Sequence, residues 1–184
     1  MQPLAMAGGA ASLAADEERL AIAARTDRDA FARLYLAHRS PVYRYLRARC
    51  GPDDAADLTA ETFERALRAI GRYRPGRAGF RAWLFRIARN AAIDHHRRAS
   101  RAAPPDSERQ EPSAESVVVA QEAADELMRM LSRLSGDQRE AIAMRYGAGL
   151  TAREIGEVLD RSEAAAQKLV SRGLAALKEA YGVE

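Results

Sequence analysis

Residues 99–116 read ASRAAPPDSERQEPSAES, with Pro104, Pro105 and Pro112, no aromatic residue and no apolar periodicity. A stretch of that composition behaves as a flexible linker. It leaves an N-terminal module over residues 17–98 and a C-terminal module over 117–184, and it predicts no fixed geometry between the two in the free protein. Ala, Leu, Arg and Glu dominate both modules while aromatic residues make up only 6%, so intrinsic propensity favours helices over strands. The expected fold is all-α, two small helical domains joined by the linker. Residues 1–16, MQPLAMAGGAASLAAD, lack the basic start of a signal peptide and are expected to form a disordered tail. No later stretch is long and apolar enough to span a membrane, and no membrane insertion is expected.

In the first module Thr26 or Asp27 can cap a helix in which Phe31, Leu34, Tyr35, Val42 and Leu46 recur at helical spacing, with Pro41 expected to kink or divide it. Gly51-Pro52 breaks the chain, Asp53 and Asp54 suit the positive end of a second helix, and Gly71 ends it. A third helix is predicted from about Gly79 to Arg98. In the second module a helix is expected near Ala120 to Leu134. Ser135 with Gln138 and Thr151 with Glu154 then mark the starts of two more, and Ser162 that of a last one reaching about Tyr181.

Charge is segregated within the first module. Residues 53–64, DDAADLTAETFE, hold Asp53, Asp54, Asp57, Glu61 and Glu64 and no base. At 3.6 residues per turn Asp57, Glu61 and Glu64 share one face, and Ala56, Phe63, Leu67 and Ile70 another, which is read as an acidic stripe backed by a core stripe. Over residues 64–98 the sign reverses: ten arginines stand against Glu64 and Asp94, a net of +8. Such density on one small domain suits phosphates, although a charged face is more often merely solvated. In the third helix Phe80, Trp83, Leu84, Ile87 and Ala91 are assigned to the core. Arg86, Arg89, His96 and Arg97 point the other way with Asn90 at the border. Phe85 and Ile93 lie off the core stripe and hint at a further contact surface.

The segment TAREIGEVLDRSEAAAQKLVSR reads as a helix-turn-helix, with Gly156 where the two helices must approach closely. In its last helix Ala166, Leu169, Val170, Gly173, Leu174 and Leu177 face inward. Ala164, Ala165, Lys168, Ser171 and Arg172 face outward with Gln167 beside them. The same short-turn pair also occurs in scaffolds that touch no DNA. Asp94, His95 and His96 project about 100° apart in succession, so they cannot converge on one ion without a nonlocal partner. No phosphate loop, nucleophile elbow or paired catalytic carboxylate is present. Neither a catalytic site nor a cofactor is expected. The single cysteine, Cys50, permits no intrachain disulfide, which fits a reducing cytoplasm, and it reads as a semi-buried residue at a helix end.

DLTAETF, then WLFRIARNAAIDHHRR, and later LSRLSGDQREAIAMRYGAGLTAREIGEVL together resemble the extracytoplasmic-function (ECF, group IV) RNA polymerase sigma factors. The resemblance implies that the first module is a sigma region 2-like three-helix bundle and the second a sigma region 4-like helix-turn-helix bundle. It makes the chain an alternative sigma factor that binds core polymerase through the β′ clamp helices and β flap and directs promoter recognition and strand opening. Asp57, Glu61, Phe63 and Glu64 would meet the clamp, with Ala60 where most relatives carry Gln. Tyr73, Arg86, Arg89, Asn90 and Arg97 would meet the minus-ten element, Trp83 being assigned to the core. Arg161, Ala164, Ala165, Gln167, Lys168, Ser171 and Arg172 would meet the minus-thirty-five element. Relatives usually have a Gly and a β-branched residue in the turn where this chain has Asp160-Arg161. The resemblance also implies an anti-sigma factor as a regulator. From the residues themselves, two other readings stay open: a helix-turn-helix regulator that binds an operator without recruiting polymerase, and an interaction scaffold.

Overall fold

A computed structural model describes residues 6–102 and 134–181, and every element among them is helical. The helices are α1 (Met6–Ala23), α2 (Arg28–Cys50), α3 (Pro52–Ala69) and α4 (Gly79–Ala102), followed after residue 133 by α5 (Gly136–Ile142), α6 (Ala152–Leu159) and α7 (Glu163–Tyr181). A 3-10 turn (Ile70–Arg72) extends α3 and a π-turn (Ala143–Gly147) extends α5. The linker beyond residue 102 and the helix expected near Ala120 to Leu134 lie outside the described residues, apart from Leu134 itself.

Local chemistry explains most helix boundaries. Between the two possible caps of α2 it is Asp27 that acts, its carboxylate accepting the Asp29 N–H at 2.8 Å. Gly51, at φ 90°, turns the chain between α2 and α3 where Pro52 can open the next helix without needing a donor. Both capping boxes form as read: Ser135 with Gln138 starts α5 and Thr151 with Glu154 starts α6, each closed by its two reciprocal hydrogen bonds. Ser162 Oγ accepts the Ala165 N–H at the start of α7.

Three local expectations are corrected. Residues 6–16 of the expected disordered tail belong to α1, whose alanines favour helix and whose end brings Leu20 and Ala21, with Ala24 just beyond, onto the bundle. Pro41 does not divide α2, which runs through it for 23 residues. The second half is held by burial of Val42, Tyr45 and Leu46, which outweighs the single hydrogen bond that proline removes. On α3 the core stripe is Ala55, Leu58, Thr62, Phe63, Ala66 and then Ile70, whereas Ala56 and Leu67 are exposed. The phase is set by where α2 lies, since 100° steps offer more than one apolar stripe.

The first core gathers Leu34, Val42, Tyr45 and Leu46 of α2, Leu58 and Phe63 of α3, and Phe80, Leu84 and Ala88 of α4. Met144, Leu150, Ile155, Ala166 and Val170 build the second. Contrary to the expectation of no fixed geometry, the two units pack together, α4 against α6 and α2 against the π-turn. Phe85, off the α4 core stripe, is fully buried with its ring 5.6 Å from that of Tyr45. Side-chain hydrogen bonds across the seam, such as Tyr45 to Glu140 and Arg44 to the Gly147 carbonyl, supply the specific reason, which linker composition does not contain.

Candidate nucleic-acid interface

The acidic stripe is on the surface but not all of it is available. Asp57 is exposed and carries no ion pair among the described residues. Glu64 is exposed and paired with Arg68 one turn on. Glu61 is half-buried between Arg65 of its own helix and Arg98 of α4, and Arg65 reaches on to Asp94 at 2.9 Å. That network ties α3 to α4, so Glu61 supports the bundle as well as the stripe. Phe63 is core, edge-on to Tyr35 with ring centres 4.8 Å apart. Its expected role as a contact surface is corrected to one of holding the stripe's helix in place.

On α4 the arginines do project away from the first core, as the periodicity implies. Asn90 and Arg97 are exposed. Arg86 and Arg89 instead meet the C-terminal unit. Arg86 Nη2 donates to the Glu157 carbonyl oxygen at 2.6 Å and to its carboxylate at 3.2 Å. Arg89 Nε lies 4.0 Å from Glu140 Oε1, close enough for attraction between charges but too far for a hydrogen bond. Tyr73 is not presented at all: it is 2% exposed, its hydroxyl donates to Glu18 Oε1 at 2.6 Å, and its ring stands edge-on to Phe80 and Trp83. Burial first, and then the Glu18 carboxylate, push its hydroxyl pKa far up, so it stays a neutral donor. Its expected place among the exposed contacts is therefore corrected, because α1, 55 positions away in the chain, supplies the partner that withdraws it.

The helix-turn-helix is built as its sequence implies. Asp160 takes the left-handed conformation, φ 55° and ψ 49°, and the Arg161 N–H closes the turn on the Gly156 carbonyl at 2.8 Å. A Cβ at Gly156 would meet the Arg161 carbonyl oxygen at 2.8 Å, so the close approach does require glycine. Arg161 is exposed and leans toward Asp137 at 3.4 Å. Ala164, Gln167, Lys168, Ser171 and Arg172 form the open face of α7, with Ala165 half-buried at its edge. Leu174, assigned inward, sits at the rim and is 36% exposed.

Asp94, His95 and His96 separate, with Asp94 on Arg65, His95 on Asp54 at 3.2 Å, and His96 Nε2 3.8 Å from Cys50 Sγ. Cys50 ends α2 half-buried, and burial above all pushes its thiol up to about 11.

Sequence reading missed the seam between the units. Glu140 is 4% exposed, and its carboxylate accepts from Tyr45 Oη at 2.7 Å and from Arg49 Nε at 2.9 Å. Burial, followed by Glu140, holds the Tyr45 hydroxyl well above its ordinary pKa. Burial lowers Arg49, but Glu140 leads the attractions that more than reverse it. A buried carboxylate needs such donors, since an unpaired one would be driven to protonate or to pull the interface apart. The signal in the sequence was a Glu at an inward position of α5, beside Ala141 and Ile142.

No helix among the described residues is long and apolar enough to cross a membrane. Residues 34–102 match the family model for sigma-70 region 2, and residues 124–177 match that for sigma-70 region 4. The chain is 35% identical over 156 residues to the ECF RNA polymerase sigma factor BldN of Streptomyces coelicolor, covering 81% of this chain but only 59% of that protein. It is 30% identical over 168 residues to the ECF RNA polymerase sigma factor SigK of a Mycobacterium species, covering 87% of each. Among solved structures, CnrH in complex with the cytosolic domain of CnrY superposes with a TM-score of 0.67 at 28% identity, over 89% of this chain and 96% of that one. With the acidic stripe and arginine helix inside the region 2 match and the helix-turn-helix inside the region 4 match, the chain belongs to the ECF family of RNA polymerase sigma factors.

Proposed function

We propose that this protein is an alternative sigma factor that binds core RNA polymerase and directs promoter recognition and strand opening, acting in the cytoplasm by binding and not by catalysis. The observation that carries the reading is the placing of three distinct surfaces on two matched domains: the acidic edge of α3, the arginine face of α4 and the open face of α7. Asp57 and Glu64, held outward by the buried Phe63 and Leu58, would meet a basic docking surface on the β′ clamp helices. The C-terminal domain would engage the β flap. Arg86, Arg89, Asn90 and Arg97 would hold the backbone and splayed bases of the minus-ten element, where contacts to base edges and phosphates keep the strand from restacking.

In the upstream element, α7 would enter the major groove, the left-handed Asp160 setting its angle. There Lys168 suits a phosphate and Arg172 a guanine edge, with Arg161, Gln167 and Ser171 flanking and the small Ala164 and Ala165 permitting close approach. The structural relative CnrH is solved in complex with a protein partner, the cytosolic domain of CnrY, and an anti-sigma factor is a fitting regulator here. Reconstituted transcription with core polymerase on a promoter library tests the whole reading. Discrete start sites that depend on this protein are expected. Tight, sequence-specific binding by the free chain with no transcript would instead identify a regulator that does not recruit polymerase.

A further inference from the structure

One carboxylate, on α1, holds both ends of the loop that leads into the arginine helix. Through Oε1, Glu18 accepts from the Tyr73 hydroxyl at 2.6 Å. Its second oxygen, Oε2, lies 3.2 Å from the position that a Cβ on Gly79 would take. Gly79 is the first residue of α4, and the positive end of this 24-residue helix favours a carboxylate there. Tyr73 opens the loop and Gly79 closes it; between them stand Arg74, Pro75, Gly76, Arg77 and Ala78.

The loop is stiff between these anchors. Pro75 fixes one backbone angle, and the Gly79 N–H closes a turn on the Gly76 carbonyl at 3.2 Å. The Tyr73 ring is buried against Phe80 and Trp83 of α4, at centre distances of 5.8 and 5.2 Å. α1 is seated in its turn, with Leu20 and Ala21 on the bundle and Glu17 Oε1 2.7 Å from His38 Nε2 of α2. Arg74 and Arg77, by contrast, are exposed and carry no hydrogen bond or ion pair among the described residues. Two unpaired guanidinium groups held on a fixed turn suit the phosphates of a displaced strand.

We infer that Glu18 is a positioning residue for strand capture: it sets the 74–78 loop so that Arg74 and Arg77 are already in place when the opened strand arrives. The inference rests on the reading above that this protein opens promoters. Glu18 itself touches no DNA, and its effect is entropic. Without the anchor the two arginines reach the same phosphates but must be ordered at the moment of binding.

That difference has a measurable signature in holoenzyme assembled with full-length chains. The probe is a labelled 20-nucleotide nontemplate strand taken from a promoter that the wild-type holoenzyme transcribes. Glu18→Ala and Tyr73→Phe should each bind it about tenfold more weakly at every salt concentration, the order expected for ordering two arginine side chains on binding. The salt slope should not change, because the same phosphates are met. Arg74→Ala with Arg77→Ala should instead lower the magnitude of the slope by about 1.4, at about 0.7 per contact on a single strand. In that background Glu18→Ala and Tyr73→Phe should cost nothing more. Tyr73→Phe keeps the buried ring and removes only the hydroxyl, so the test stands even if Glu18→Ala does not fold.

Strand affinity at the wild-type level in Tyr73→Phe overturns the inference. So does a loss that recurs undiminished in the background lacking Arg74 and Arg77, since Glu18 would then act through the domain and not through the loop. An unchanged slope in the double arginine variant overturns it as well, and if that variant still transcribes, the loop alone is excluded and the sigma reading stands. A wild-type holoenzyme that yields no start sites refutes that reading, and the inference with it.

Discussion

Replacing Gly156 by alanine tests the construction of the helix-turn-helix with a single methyl group. The added carbon would sit 2.8 Å from the Arg161 carbonyl oxygen and 3.3 Å from the Glu163 nitrogen, both backbone atoms that cannot rotate aside. Overpacking of this kind costs about 1–3 kcal/mol, and a rigid backbone neighbour places it in the upper half of that range. Against this, alanine in the interior of α6 recovers about 1 kcal/mol of helix propensity. The net loss is about 1–2 kcal/mol, or roughly 2–8 °C in midpoint at about 2–4 °C per kcal/mol for a chain of this size.

Gly173 supplies the internal control, since it is also helical and gains the same propensity. Its added carbon would meet Ile142 Cγ1 at 2.9 Å, an atom of a buried side chain, which can shift where the turn backbone at Gly156 cannot. Gly173→Ala should therefore stay within about 1 kcal/mol of wild type. Urea titration followed by circular dichroism reads both, and an unchanged slope would show that the midpoint shift reports stability. An equal or higher midpoint for Gly156→Ala, or a larger loss for Gly173→Ala, would refute the account of the turn.

Three further outcomes are expected. Asp57→Arg should abolish co-purification with core polymerase while changing stability by no more than about 0.5 kcal/mol, as for an exposed site; Glu61→Arg should also lower the melting temperature, because it sets a third cation against Arg65 and Arg98, and wild-type recovery of Asp57→Arg with core would remove this edge from docking. Lys168→Ala should weaken holoenzyme binding at all promoters alike and reduce the salt slope by about 0.9, whereas Arg172→Ala should cost about 1–3 kcal/mol on the cognate site and relax selectivity at one base pair; no change in either, measured on matched and single-mismatch upstream elements, would exclude α7 from recognition. Cys50, with its thiol raised from 9.0 to about 11, should alkylate about a hundredfold more slowly at pH 8 in the folded chain than in urea, by the ratio of thiolate fractions. Because the folded state favours the thiol, the stability it contributes is complete below pH 9.0 and is lost as pH rises toward about 11. Equal alkylation rates folded and unfolded would contradict the burial.

What could be read from the sequence was what depends on neighbours within a turn or two of chain. Asp27, Ser135 and Thr151 cap helices by reaching two or three residues ahead, so their roles are written locally. Gly156 and Asp160 likewise answer to a turn five residues long. The sign of each charged face also follows from spacing alone, which is why the acidic edge of α3 and the arginines of α4 could be assigned. What the tertiary structure decided was which of those groups face open solvent. The phase of the α3 core, with Thr62 inside and Leu67 outside, is chosen by the position of α2 and not by the apolar count. Tyr73 is withdrawn by Glu18, and Glu140 is taken up by Tyr45, a partner 95 positions away. A hydrogen bond acts over about 3 Å whatever the length of chain between its ends, and local periodicity contains nothing that names the residue on the far side.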